Sequence, residues 1–122
     1  MKTYSCLARN HLSFLPIRFF SDNKKFRRFE IQKMTLLDLD QALNLNNRIL
    51  NHVDWIDEPR LIFLIQHAYS ALSVKDNHDL VAFFIALRPG LVYECHAYQW
   101  YNKNVPHSHY IFGDRMVVHE AY

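Results

Sequence analysis

The spacing of hydrophobic and polar residues predicts short strands and helices from residue 29 onward. The stretch 29–34, FEIQKM, alternates apolar and polar side chains, as a half-buried strand does. In 35–50, leucines recur at helical spacing, which indicates an amphipathic helix. Thr35 and Asp38 match a capping box with Asp in place of Glu or Gln, so this helix should begin at Thr35.

A second helix is predicted after a short loop. Asp57 stands where it can cap this helix, and Pro59 follows in the first turn, where its missing N–H costs nothing. The segment 60–72, RLIFLIQHAYSAL, is apolar on almost every side and reads as the body of that helix. We expect it to pack on more than one face or to cover a sheet.

Short strands follow, at 72–76, 80–87 and 110–118. The first two are joined by a tight turn, DNHD. The run LVAFFIAL at 80–87 does not alternate, which predicts a strand buried on both faces. Gly113 inside the last strand predicts a bulge or a close backbone approach. An aromatic connection, 91–110, lies before it, with room for a short helical turn. The order predicts an α+β fold with helices covering one sheet.

Charge is divided unevenly along the chain. Residues 1–33 carry eight Lys and Arg against two acids, 8 − 2 = +6, whereas the remainder carries six against ten, 6 − 10 = −4. We interpret 1–28 as a basic, loosely ordered N-terminal extension, with an organelle transit peptide as an alternative. Its KKFRRF run mixes cations and aromatics, but a solvated tail explains it better than nucleic-acid binding.

Several classes of protein are disfavoured by composition. No apolar run reaches about 18 residues, so we predict no membrane partner. Cys6 and Cys95 could form a disulfide, but we interpret them as free buried thiols in a reducing cytoplasm, which is the expected location. His107 and His109 would lie on one face of a strand, with His96 upstream, but no cysteine or acid completes a recognisable zinc spacing, and no metal site is predicted.

Three segments together resemble the first half of the GNAT acetyltransferase superfamily, across 29–122. FEIQKMTLLDLDQALNLNN resembles the first strand and helix of that family, LVAFFIALRPG its third strand, and DRMVVHEAY its fourth strand and exit. The family pattern at that exit places a proline where this chain has Glu120. The resemblance implies a GNAT-like, mixed or antiparallel sheet covered by two N-terminal helices and truncated after the fourth strand.

The resemblance implies an acetyl-CoA-dependent N-acetyltransferase that acts on a small-molecule or peptide amine. In the family, a glycine-rich loop at a helix N-terminus holds the cofactor pyrophosphate. This sequence stops one residue before that loop would begin, so 29–122 is expected to be a partial GNAT domain that binds acetyl-CoA weakly. A catalytically inactive remnant or a partner-completed interaction module is the alternative.

The resemblance also implies roles for particular residues. Backbone groups of the fourth strand would bind the pantetheine arm, at Met116, Val117 and Val118. The first candidates for the base that deprotonates the acceptor amine are Asp114 and Glu94, and the further candidates are His96 and His109. Asp114 has a structural alternative, an ion pair with Arg115.

The first two helices form a wall of the acceptor pocket in the family. By position, the substrate-binding candidates are therefore Asn46, Asn47 and Asp57. Asn46 falls on the apolar stripe of the first helix, where an amide without partners would cost about 1–3 kcal/mol. It must bond to neighbouring backbone or face a cavity. Both alternatives are open at the level of sequence.

The last strand would have one unpaired edge if nothing followed it. Residues 110–118 are apolar and β-prone, and only Gly113 interrupts them. Unpaired apolar edges favour association. We therefore expect self-association through this edge, unless the connection 91–109 or the N-terminal segment folds over it.

Overall fold

A computed structural model describes residues 29–49, 51 and 53–122. The interpretation of 1–28 as a basic extension lies outside the described residues and stays a prediction. In the described part, no helix combines the length and apolarity that crossing a membrane requires.

Seven helices and strands make up the described fold, together with two single 3₁₀ turns, Leu36–Asp38 and His107–His109. In chain order they are β1 (Phe29–Lys33), α1 (Leu39–Arg48), α2 (Glu58–His67), β2 (Ala68–Asp76), β3 (Asp79–Leu87), α3 (His96–Asn104) and β4 (Phe112–Val118).

The four strands form one antiparallel sheet in the order β1-β2-β3-β4. A two-residue turn joins β2 to β3, and Asn77 within it has φ 58°. Asparagine tolerates this left-handed conformation better than most residues do. The predicted α+β class and the tight turn are confirmed, and the sheet is antiparallel throughout.

Both predicted caps form the expected hydrogen bonds, and the first of them opens the 3₁₀ turn Leu36–Asp38, which leads into α1 at Leu39. The Thr35 hydroxyl accepts from the Leu37 N–H, and Asp38 Oδ2 accepts from the Thr35 N–H at 3.0 Å, which completes a capping box. Asp38 also pairs with Lys75 Nζ of β2 at 2.6 Å. The Asp57 carboxylate caps α2 by accepting from the Arg60 N–H at 2.9 Å.

Three local predictions were wrong. Residues 68–72 belong to β2 and not to the second helix, because α2 ends at His67 and Ala68 is already extended. The aromatic connection holds a full helix, α3, in place of a short turn. His107 and His109 lie in a 3₁₀ turn, so they do not share one face of a strand.

The two faces of the sheet differ in how they are covered. On one face, side chains of β2, β3 and β4 pack against the helices and form the core, which includes Phe83, Ile85 and Val117. We call the other face the open face. It carries these apolar side chains, all partly or largely exposed: Ile31, Leu72, Val74, Ala82, Phe84, Met116 and Val118. The prediction that 80–87 is buried on both faces was therefore wrong for the open face.

A bulge interrupts the pairing of β3 with β4 next to Gly113, as the sequence predicted. Arg115 pairs with Ile85 and Gly113 pairs with Ala86, which leaves Asp114 as the extra residue. The bulge turns two consecutive side chains toward the helices. Asp114 and Arg115 have only 4% and 5% of their side chains exposed.

Candidate functional site

A chain of hydrogen-bonded polar side chains, of which Arg60 is only half-buried, runs from α1 to α2 across the bulge of β4. We call it the polar chain, and its members are Asn46, Arg115, Asp114, Tyr93 and Arg60. Arg115 donates to Asn46 Oδ1 at 2.6 Å and to Asp114 Oδ2 at 2.9 Å. The Tyr93 hydroxyl donates to Asp114 Oδ1, and Arg60 donates to the Tyr93 oxygen at 3.0 Å.

Asn46 is fully buried and uses its whole amide. Its nitrogen donates to the Asp54 carbonyl at 2.9 Å and to Asn47 Oδ1 at 3.0 Å, while its oxygen accepts from Arg115. The Asn46 amide therefore holds the loop before α2 in place and also orients the Arg115 guanidinium of β4. Of the two alternatives that the sequence left open, the structure therefore shows the first, because the Asn46 amide bonds to neighbouring backbone and side chains and lines no part of the pocket described below.

Arg115 has its charge balanced inside the fold. A buried charge is expensive unless a counter-charge and hydrogen bonds accompany it. Asp114 supplies the counter-charge and Asn46 a further acceptor. The structural ion pair between Asp114 and Arg115 is what the geometry shows.

Tyr93 links this ion pair to the surface. Burial of its hydroxyl, followed by the charge and hydrogen bond of Asp114, raises the pKa of Tyr93 from 10.0 to about 12. Tyr93 therefore stays protonated at neutral pH and donates to Asp114. For Arg60, burial opposes the charge, but the hydrogen bond to Tyr93 and the nearby Asp114 give a net rise in its pKa.

A surface pocket of about 290 Å³ opens at the outer end of the polar chain. Its lining consists of Arg60, Phe63, Val92, Tyr93 and Glu94. The set combines a guanidinium, a carboxylate, two aromatic rings and an aliphatic side chain. It therefore offers both charges and an apolar wall to one small ligand.

The predicted site residues fall into three groups. Asn46 and Asp114 meet in the polar chain through Arg115, and Glu94 lines the pocket. Asn47 bonds the backbone N–H and carbonyl of Ile56, and Asp57 caps α2, so both hold the loop between the helices. The two histidines named as further bases, His96 and His109, are exposed and line no part of this pocket.

The three predicted cofactor residues lie on β4, the last strand of the sheet. The His119 N–H donates to the Val81 carbonyl at 2.8 Å, so these two residues form a hydrogen-bonded pair. Such pairs alternate along an antiparallel ladder, which makes Val117 the next bonded partner of β3. The backbone groups of Met116 and Val118 therefore point to the outer edge, where the described part of the chain supplies no strand.

Two residues of the site, Arg60 and Tyr93, were missed by sequence reasoning. Arg60 follows a helix cap and reads as an ordinary first-turn cation, and Tyr93 is one of several aromatics in its connection. A single charged pair, Asp114 and Arg115, inside an apolar strand was the available signal. Buried charges need partners, which indicates that distant polar residues had to converge there.

In the described residues, no three His, Cys, Asp or Glu side chains come together as a metal site would need. Comparison of the whole chain with protein-family models, curated proteins and solved structures gave no match.

Proposed function

We propose that this chain takes part in acetyl transfer from acetyl-CoA to an amine. The donor would lie along the outer edge of β4 and the acceptor would occupy the pocket. One observation carries the proposal. Asp114 is the bulge residue of β4, and it accepts a hydrogen bond from Tyr93, which lines the pocket. One buried contact therefore links β4 to the pocket.

The edge of β4 fits the donor because its backbone groups point outward at Met116 and Val118. An extended pantetheine arm carries two amides, which can pair with such groups as an added strand would. An outward N–H can also donate to the thioester oxygen and stabilise the charge that develops on it. Val117 contributes packing instead, since its side chain is buried and its backbone faces β3.

The reaction itself needs a deprotonated amine. Its nitrogen lone pair attacks the thioester carbonyl carbon, the C–S bond breaks, and the electron pair leaves on sulfur. The proton lost by the amine finally goes to the thiolate, so an acetamide and free CoA thiol result. The group supplied by this chain would be the base that takes the proton first.

Glu94 suits that role better than Asp114 does. Both carboxylate oxygens of Asp114 already accept hydrogen bonds, from Tyr93 and Arg115. The Glu94 side chain lines the pocket and has no hydrogen bond or ion pair within the described part of the chain. We therefore assign the base to Glu94 and give Asp114 a positioning role.

Titration with acetyl-CoA tests the donor site. Amide resonances of Met116 and Val118 should shift in ¹⁵N-correlated spectra at millimolar acetyl-CoA, while the amide of Ile31, on the other edge strand, should not. Equal shifts at both edges, or none at β4, would contradict the proposal. Release of CoA thiol with an amine present tests transfer, and Glu94→Gln should lower its kcat about 100-fold or more.

The open edge of β4 favours a second candidate, a binding module that a partner completes. A partner strand would satisfy the same outward groups of Met116 and Val118. A second copy of this chain fits that edge, because two identical strands can pair antiparallel about a two-fold axis. In that case acetyl-CoA would leave the β4 resonances unchanged, and the protein concentration would shift them.

A further inference from the structure

We propose that the pocket binds a small amphoteric molecule of the amino-acid class, with its carboxylate on Arg60, its amine on Glu94 and its apolar side chain against Val92 and Phe63. The proposal that this molecule is the acetyl acceptor rests on the proposed function. Its binding does not, because it follows from the pocket alone.

Arg60 is free to take a carboxylate. A guanidinium has five N–H donors in a planar fork that matches carboxylate geometry. In the described residues, Arg60 gives one side-chain hydrogen bond, to Tyr93, and no carboxylate lies within ion-pair distance of it. Arg60 lines the pocket, and its remaining donors have no side-chain or backbone partner among the described residues.

The guanidinium is also held in place before any ligand arrives. Tyr93 fixes Arg60 from one side, and its ring lies 5.2 Å from the guanidinium carbon. Tyr93 is fixed in turn by Asp114, which Arg115 holds from the core. A cation oriented in advance loses less conformational freedom on binding, and this favours a specific contact over a diffuse one.

The other lining residues supply the amine site and the apolar wall. Glu94 brings an unpaired carboxylate at the sequence position next to Tyr93. Val92, on the other side of Tyr93, lines the pocket and has 94% of its surface exposed, so a ligand can cover it. Phe63 adds a ring stacked on His67 with centroids 4.3 Å apart. A ligand with one aliphatic side chain would cover Val92.

The volume limits the ligand to a small one. Pockets for drug-sized ligands start near 300 Å³, and this pocket measures about 290 Å³. An amino acid fits that space.

Three matched probes separate the contributions of the two charges. Free leucine carries both, 3-methylbutylamine lacks the carboxylate, and 4-methylpentanoate lacks the amine. Titrations followed on the Val92 methyl resonances of the full chain should show leucine binding about twofold to fivefold tighter than either analogue, as one partly exposed ion pair contributes. Equal affinity for leucine and 3-methylbutylamine in the wild type would overturn the proposal.

Two charge-removing variants then assign each contact. Arg60→Gln should make leucine and 3-methylbutylamine bind equally, and Glu94→Gln should make leucine and 4-methylpentanoate bind equally. Lys33→Gln and Glu30→Gln remove the same charges from exposed positions on β1 and should leave the leucine preference unchanged. An unchanged preference in folded Glu94→Gln would contradict the amine site.

Failure of this inference can be told apart from failure of the proposed function. Leucine that binds with the expected preference but is never acetylated would leave the inference standing and remove the acetyl-transfer proposal. Acetylation of 3-methylbutylamine as efficiently as of leucine would support the acetyl-transfer proposal and remove the inference that the pocket recognises a carboxylate.

Discussion

At the scale of single residues, Ser73 stands out because its buried hydroxyl has no hydrogen-bond partner in the described part of the chain. Leaving a buried polar group unsatisfied costs about 1–3 kcal/mol. Ser73→Ala removes that group without opening a large cavity. It should raise the free energy of unfolding by about 1 kcal/mol, measured by urea denaturation.

Ser108→Ala provides the control for that measurement. Ser108 is exposed, so its replacement should change stability little. A loss of stability in Ser73→Ala would contradict the interpretation and would indicate that an internal water bonds the hydroxyl in solution.

Tyr93 makes a pH-dependent contribution to stability. Its pKa of about 12 in the folded protein lies above the ordinary value of 10.0. Its stabilising effect is therefore complete below about pH 10 and is lost as the pH rises through about 12. One pKa unit corresponds to about 1.4 kcal/mol. The free energy of unfolding of the wild type should therefore fall by about 2–3 kcal/mol over this range, and that of Tyr93→Phe should not show this loss.

Denaturation curves between pH 9 and 12, where the fold persists, check this expectation. Tyr69→Phe is the matched control, since Tyr69 is an exposed tyrosine on β2 and its removal should preserve the wild-type slope. A stability difference between wild type and Tyr93→Phe that stays constant with pH would contradict the role assigned to the buried hydroxyl.

At the scale of elements, the start of α2 depends on one side chain. The Asp57 carboxylate accepts from the Arg60 N–H, and Arg60 begins the polar chain. Asp57→Ala should lower the free energy of unfolding by about 0.5–2 kcal/mol, whereas Asp57→Asn should retain most of the wild-type stability, because asparagine also caps helices. Thermal unfolding of the two variants distinguishes them.

The same pair of variants separates a capping role from the substrate-binding role that the resemblance implied. If Asp57 acts through the cap, Asp57→Asn should bind leucine as the wild type does. A large loss of affinity in stable Asp57→Asn would instead place Asp57 in contact with the ligand.

Local signals explain which elements the sequence could predict. A capping box or a two-residue turn depends on neighbours in sequence, and both Thr35 with Asp38 and Asn77 behave as their residue types imply. The helix boundary at His67 had no such signal. Residues 68–72 continue the preceding helix without a glycine or proline break, so only pairing with β3, and with β1 at Leu72, decides that they form a strand.

The polar chain was harder to predict because it depends on tertiary contacts. Asn46 and Asp114 could be singled out as polar residues in apolar surroundings, and the structure joins them through Arg115. Arg60 and Tyr93 come from segments that look ordinary in sequence. Their roles depend on where α2 and the connection after β3 meet.

At the scale of the whole molecule, the sheet has one covered face and one open face. Antiparallel sheets often expose one face to water, but that face is then mainly polar. Here Ile31, Leu72, Met116 and Val118 are exposed on it. The helix of the connection, α3, does not cover them, since its buried Tyr98 packs on Tyr93 and Phe112 at the core side.

Self-association is the expected consequence, through the outer edge of β4 and the adjoining part of the open face. Val118→Lys places a charge on this exposed position of the edge strand and should shift the protein toward monomer. Val117→Lys is unsuitable, because Val117 is buried in the core and a lysine there would unfold the domain. Met116→Lys provides an independent second variant, since 66% of Met116 is exposed.

Sedimentation velocity over a range of concentrations decides whether the edge associates. Wild type should show an average mass that rises with concentration, and both β4 variants should remain near 14.6 kDa. Leu37→Lys removes an equally apolar and almost fully exposed side chain in the turn before α1, so it should associate as the wild type does. A wild type that stays monomeric would show that the outer edge of β4 is protected within a single chain. Association abolished equally by Leu37→Lys would show that net charge, and not the edge, controls it.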